Sequence, residues 1–322
     1  MSGMLQAKLA RLGLVQRSEA APLSSVAVAG RAELMPGTEW LTDAGPVWVH
    51  ERRFAPGTGP LPATARKLTS QERSVIFRRP PRSGETVAFD IETTSLSSGA
   101  GVHTFLVGLG WWEDDGVVVR QVLMRSPIEE EALLSHVLQV LQRFTGLLSF
   151  CGRGFDVPRF RDRLAYAGRS ERLPVFPHDD LAPLSRQVFA GRLADGRLGS
   201  AERCILGFQR HEDLPGAECP REWFALQRGQ AHRMAAVMEH NALDVVSLFG
   251  LEWMLLQEIA HPKTAAAAMF STLACMEAGD LPSAVRSMRF AEALAQGANA
   301  APAPVGITQA FERARRRLTS VR

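Results

Sequence analysis

The chain has 322 residues, 46% hydrophobic and 22% charged, a composition that excludes a disordered polymer and supplies a substantial core. No apolar run approaches the roughly 18 residues that would span a membrane, and the first residues lack the continuous apolar stretch of a signal peptide, so the expected compartment is the cytoplasm. A net charge of +3 is too mild to demand a polyanionic partner, although 34 of the 37 bases are arginines, whose planar fork suits phosphate. In chain order, Leu5 to Leu14 predicts a short helix followed by a linker of small residues, and Val47-Trp48-Val49-His50 predicts a β segment. Residues 56–64 are a Pro/Gly-rich connector. Thr86–Phe89, Phe105–Trp112 and Val117–Leu123 are three strand patterns, the last two separated by the turn Glu113-Asp114-Asp115-Gly116. Short connections between them imply an antiparallel meander.

A helix is expected from Ser126 (N-cap) and Pro127 through Leu133, Leu134, Val137, Leu138 and Leu141 to Phe144. Leu147–Phe150 returns to strand. The glycine turn Cys151-Gly152-Arg153-Gly154 then leads into a second helix near Val157. Residues 170–185 read as a proline-containing loop region, and 202–210 and 222–260 as mostly helical. Ala265–Ala278 and Ser283–Gln296 form an alanine-rich helical hairpin around Gly279-Asp280-Leu281-Pro282, similar to one tetratricopeptide-type pair without a second copy. The arginine cluster Arg313, Arg315, Arg316 and Arg317 reads as a frayed helix or tail that could either neutralise phosphates or simply carry surface charge. The expected organisation is an extension over 1–80, an α/β domain over 81–258, and the hairpin with its Arg-rich tail over 259–322. Cys151, Cys204, Cys219 and Cys275 contain no Cys-x-x-Cys pair and read as reduced thiols.

Four acids stand out by context. Asp90 and Glu92 close an apolar strand in Phe89-Asp90-Ile91-Glu92-Thr93-Thr94, and period-two alternation puts both carboxylates on one face. Either a divalent cation or bulk water can relieve their repulsion. Asp156, in Gly154-Phe155-Asp156-Val157-Pro158, stands where a helix begins and, taken alone, reads first as its N-cap and only then as a catalytic acid. Asp244 follows His240 by four residues inside an apolar helix, so the two are neighbours on one helical face. That pair reads as a solvated stripe, a simple His–Asp contact or part of a site. His178-Asp179-Asp180-Leu181 could line a cleft or cap a loop, and His211, Glu212 and Asp213 read as a solvated turn. Arg153 and Arg159 flank Asp156 as phosphate contacts or as surface arginines. Trp111 and Trp112 read as core.

Taken in order, these segments resemble the sequence blocks of the DEDD nuclease superfamily, and within it most nearly the YprB-type ribonuclease H-like domain. Phe89–Thr94 with Phe105-Leu106-Val107-Gly108-Leu109-Gly110 is similar to the first block, and Leu148–Gly152 through Phe155–Pro158 to the second. His178–Leu181, Asp213-Leu214-Pro215-Gly216 and His240-Asn241 to Asp244 are similar to the last portion. The resemblance covers roughly 85 to 255. It implies a ribonuclease H-like mixed sheet, an antiparallel meander followed by parallel strands, covered by helices. It further implies metal-dependent phosphodiester hydrolysis at Asp90, Glu92, Asp156 and Asp244 around two Mg²⁺ or Mn²⁺ ions, with His240 as general base. Weaker nucleic-acid contacts would come from Arg153, Arg159, His178 and Asp180. The implied activity is a 3′→5′ exonuclease on single-stranded DNA or RNA, with a structure-specific endonuclease or a non-catalytic scaffold as alternatives. A protein partner could dock on the C-terminal hairpin. Two positions depart from the wider superfamily pattern: the histidine lies four rather than five residues before the final Asp, and Cys151 stands where Asn is common.

Overall fold

A computed structural model describes residues 37–319 except 96, 98, 100, 170–172, 174–176, 212 and 298–301. The helix expected over Leu5–Leu14 and the linker after it lie outside the described residues. Strands β3 (Thr86–Thr93), β4 (Thr104–Glu113) and β5 (Gly116–Leu123) form the predicted antiparallel meander. Asp114 takes the left-handed backbone conformation (φ 51°) that a tight β4–β5 turn requires. On one side of the meander, the hairpin β1 (Thr38–Thr42) and β2 (Gly45–Phe54) pairs antiparallel with β5. On the other, β6 (Gly146–Ser149) runs parallel to β3, and β7 (His178–Asp180) parallel to β6. The seven strands therefore lie in the order β1-β2-β5-β4-β3-β6-β7. Residues 38–54, from the segment expected as an N-terminal extension, continue the same sheet.

Helices cover both faces. Helix α1 (Ser70–Phe77), which no periodic signal announced, is held by a capping box between Thr69 and Glu72. Helix α2 (Glu130–Leu141) packs on β1, β2, β4 and β5. It begins three residues later than Ser126 as N-cap suggested, because Pro127–Glu129 is a 3₁₀ turn and the Ser126 side chain makes no capping bond. Helix α3 (Asp156–Tyr166) packs on β3 and β4. The stretch read as loop over 170–185 contains β7 and the first half of α4 (Leu181–Val188), a helix capped by the Asp180 carboxylate. The stretch expected as helix over 202–210 is a π turn, Glu202–Leu206, that Gly207 ends at φ 64°. Helix α5 spans Cys219–Gln227, and α6 runs 27 residues from Met234 to Ala260 beneath β3, β4, β5 and β6.

The alternation of β3 separates two apolar clusters. Val87, Phe89 and Ile91 face one cluster with α2 and α3, while Ala88 joins the other cluster with α6. Asp90 and Glu92 share the parity of Ala88 and so look toward α6. Two glycines let that helix come close. A Cβ on Gly108 would stand 2.5 Å from Asn241 Oδ1, and one on Gly110 would collide with Val245.

At the C-terminus the predicted hairpin is α7 (Ala265–Glu277) and α8 (Leu281–Ala295), with Thr264 and Asp280 as side-chain caps. The arginine cluster is not a frayed tail. It lies on α9 (Val305–Thr319), whose buried Ile307, Phe311 and Ala314 hold it against α7. Ala267, Phe270 and Leu273 of α7 share the apolar cluster of Leu255 and Ile259 in α6. Trp111 and Trp112 are buried. Among the described residues, no helix is long and apolar enough to cross a membrane.

Candidate active site

Three separate elements bring the four acids to one cleft. Asp90 and Glu92 come from the end of β3, Asp156 from the first turn of α3, and Asp244 from the third turn of α6. All four, with His240, Cys151, Phe150, Phe155, Gly216 and Pro220, line a cavity of about 240 Å³. Asp156 is not the cap of its helix: the N-cap position is Phe155, which makes no side-chain capping bond. Asp156 instead sits inside the first turn, where exposed N–H groups favour a carboxylate, and it is buried. Asp244 and His240 stack at i and i+4, with His240 Nε2 3.5 Å from Asp244 Oδ2.

The electrostatics are those of a centre with too few cations of its own. Burial, then repulsion from Asp244, Asp156 and Glu92, pushes the Asp90 carboxyl well above the carboxylate range, against the Asn241 amide. Burial raises Glu92 to about 8, opposed by nearby His240 and by the Cys219 thiol, which donates to it. Burial raises Asp156 to about 7, with Asp180 and Asp244 adding to the rise. Burial works against charge on His240, but Asp244, Glu92 and Asp213 outweigh it and raise its pKa.

Several side chains that orient this centre were not singled out from the sequence as site residues. Asn241 Nδ2 donates to Asp90 Oδ2 at 2.8 Å, and Gln121 of β5 fixes that amide by donating to Asn241 Oδ1 at 2.8 Å. Asp213, read as part of a solvated turn, stands 2.9 Å from His240 Nδ1. A carboxylate only accepts, so Nδ1 carries the proton there and Nε2 is left facing the cleft. Arg210, its side chain largely shielded from solvent, donates to Asp244 Oδ1 and makes a two-bond pair with Glu202 of the π turn, 2.8 Å at Nε. These partners are distant in sequence and become adjacent only once α6 is packed.

The remaining predicted residues have structural partners. Asp180 is buried and accepts from the backbone N–H groups of Cys151 (2.8 Å), Arg153 (3.2 Å) and Ala182 (3.1 Å), so it shapes the turn before Asp156 rather than reaching outward. His178 Nε2 lies 2.6 Å from Ser149 Oγ, and its carbonyl accepts from the Arg153 guanidinium. The Arg159 guanidinium covers the Phe155 ring at 3.7 Å, beside the cleft. Cys151 has φ 64°, the left-handed region that Asn tolerates better than most residues.

The donor set suits a hard divalent cation: four carboxylates, with oxygen ligands of the type that Mg²⁺ and Mn²⁺ take. In the side-chain arrangement described, Asp244 is turned to Arg210. Among the described residues, no three of His, Cys, Asp and Glu are already grouped as ligands to one ion.

An α/β sheet of this order, with acids from β3, α3 and α6 meeting at one cleft, defines the class, and the chain belongs to the RNase_H superfamily: a family model of that superfamily matches residues 87–255. Over 165 residues the chain is 35% identical to the uncharacterised protein YprB of Bacillus subtilis (strain 168), a match taking in 51% of this chain and 40% of that protein. The chain thus spans about two fifths of that relative's length. A family B DNA polymerase from the hyperthermophilic archaeon Pyrobaculum calidifontis is a looser likeness. It has a TM-score of 0.44 and 15% identity, over 77% of this chain and 34% of the polymerase.

Proposed function

We propose that this protein is a divalent-metal-dependent nuclease that removes nucleotides from the 3′ end of single-stranded DNA or RNA. One observation carries the reading: four carboxylates from three elements line a single cleft, and three of them are destabilised as anions by burial and by one another. A fold retains such a costly cluster when something else supplies positive charge. Asp90, Glu92, Asp156 and Asp244 would hold Mg²⁺ or Mn²⁺, which when bound would lower the pKa of water and offset charge on the phosphate. His240 takes a proton from the attacking water at Nε2, with Asp213 holding the proton on Nδ1. Asn241 and Gln121 keep Asp90 in one rotamer. Arg153 and Arg159 are the candidates for phosphate contact outside the cleft.

The test follows 5′-labelled and 3′-labelled single strands of DNA and RNA with Mn²⁺, beside an Asp90→Asn control. The expected result is a 5′-labelled ladder that shortens stepwise and vanishes in the variant. Discrete internal cuts would indicate an endonuclease instead, and no cleavage of single-stranded, duplex or branched substrates would indicate a binding scaffold.

A further inference from the structure

The two sides of the cleft differ in how their charge is answered. Asp90 has an amide for its partner, and Glu92 has a thiol. Asp244 is the exception, because it has a permanent cation for a partner: Oδ1 accepts from Arg210 Nη2, while Oδ2 lies 3.5 Å from His240 Nε2. Arg210 has little freedom to leave. Its side chain is 7% exposed, and its guanidinium sits among Glu202, Asp244, Asp213 (3.6 Å) and His240 Nδ1 (3.2 Å). Glu202 grips it at Nε and Nη2 and is itself held by the Ser247 hydroxyl. Arg210 is therefore already matched by one full carboxylate, and its further bond to Asp244 draws on an oxygen from the acidic cleft.

We propose that Arg210 is an internal competitor of the divalent cation at Asp244, a positioning residue that weakens cation binding there until the substrate arrives. This rests on the nuclease reading above. Without nucleic acid, Asp244 is shared between the guanidinium and the cation, and two positive charges beside one carboxylate repel. A phosphodiester adds negative charge to the same cleft and offsets that repulsion, so cation affinity rises with substrate bound. The arrangement couples assembly of the centre to the presence of nucleic acid.

The experiment measures Mn²⁺ binding by the full chain, without nucleic acid, using the electron paramagnetic resonance of free Mn²⁺. The variant is Arg210→Gln combined with Glu202→Gln, which removes the guanidinium without leaving a buried carboxylate alone. Competition predicts binding about tenfold or more tighter than in the unmodified protein, the sign expected when a nearby like charge is removed. A merely structural Arg210 predicts equal or weaker binding, and either result overturns the proposal. Should the double variant fail to fold, the decision passes to unmodified protein labelled with ¹⁵N-arginine. The Arg210 Nε–H resonance, identified by its absence in Arg210→Lys, is expected to shift along a Mg²⁺ titration; a signal that stays put while Mg²⁺ binds overturns the proposal. An Asp90→Asn control separates the two readings. Cation binding that needs Asp90 but ignores Arg210 leaves the nuclease reading standing, whereas no binding in any form removes both.

Discussion

Glu92 shows at the scale of one residue what the acidic cleft costs. Its carboxyl binds a proton more tightly in the folded chain than at its ordinary 4.5, holding it to about 8, because burial penalises the anion first of all. Between those two values the folded state holds more protons at this site than the unfolded state, so stability falls as pH rises. Asp156, raised from 3.8 to about 7, adds to the same slope. In chelator, thermal unfolding from pH 5 to pH 8 is expected to show a declining midpoint, and Glu92→Gln to flatten the decline. An unchanged slope in that variant would show that Glu92 does not experience this environment. Cys151 poses a different problem, since its backbone lies at φ 64° and a thiol has no means to stabilise that conformation. Cys151→Asn is expected to raise stability by about 0.5–1 kcal/mol in denaturant titrations, the usual size of a relieved backbone preference.

At the scale of elements, the spacing between β4 and α6 sets the site. Gly108 leaves room for the Asn241 amide, and Asn241 in turn holds Asp90. Gly108→Ala places a methyl 2.5 Å from Asn241 Oδ1. The expected cost is about 1–3 kcal/mol of stability, as for overpacking elsewhere, accompanied by loss of nuclease activity as Asp90 loses its partner. A variant with full activity would show that the Gln121–Asn241–Asp90 chain is dispensable. The meander was legible in the sequence because its strands are short apolar runs and Glu113-Asp114-Asp115-Gly116 punctuates the last two. The α7–α8 hairpin was legible because Gly279 and Pro282 break a long alanine-rich run. Helix α1 was not, since its eight residues carry little amphipathic contrast, although the Thr69–Glu72 capping box was there to be read. Helix α4 was obscured by the prolines around it, and α9 by arginines that masked the spacing of Ile307, Phe311 and Ala314.

At the scale of the whole molecule, the sheet, the long α6 and the C-terminal helices are joined through shared apolar surface, with Phe270 and Leu273 in the same cluster as Val245 and Phe249. The four acids could be picked out from the sequence because each sits in a distinctive local context. Arg210, Glu202 and Gln121 could not, because what makes them part of the site is a partner that is non-local or out of view: Gln121 meets Asn241 from 120 residues away. Asp213 fell in a segment that resembles the superfamily, but its place beside His240, 27 residues on, shows only in the packed fold. The supporting shell is thus a property of the tertiary packing.

The central claim is that the cleft of Asp90, Glu92, Asp156 and Asp244 takes a divalent cation, and thermal unfolding with and without Mn²⁺ tests it most directly. A cation that binds only the folded chain stabilises it by about 2.7 kcal/mol at a hundredfold excess over its Kd. The account predicts a clear rise in the unfolding midpoint with millimolar Mn²⁺, absent in Asp90→Asn, whose own metal-free midpoint is no lower than that of the unmodified chain. A midpoint indifferent to Mn²⁺, or raised equally in both proteins, would contradict it.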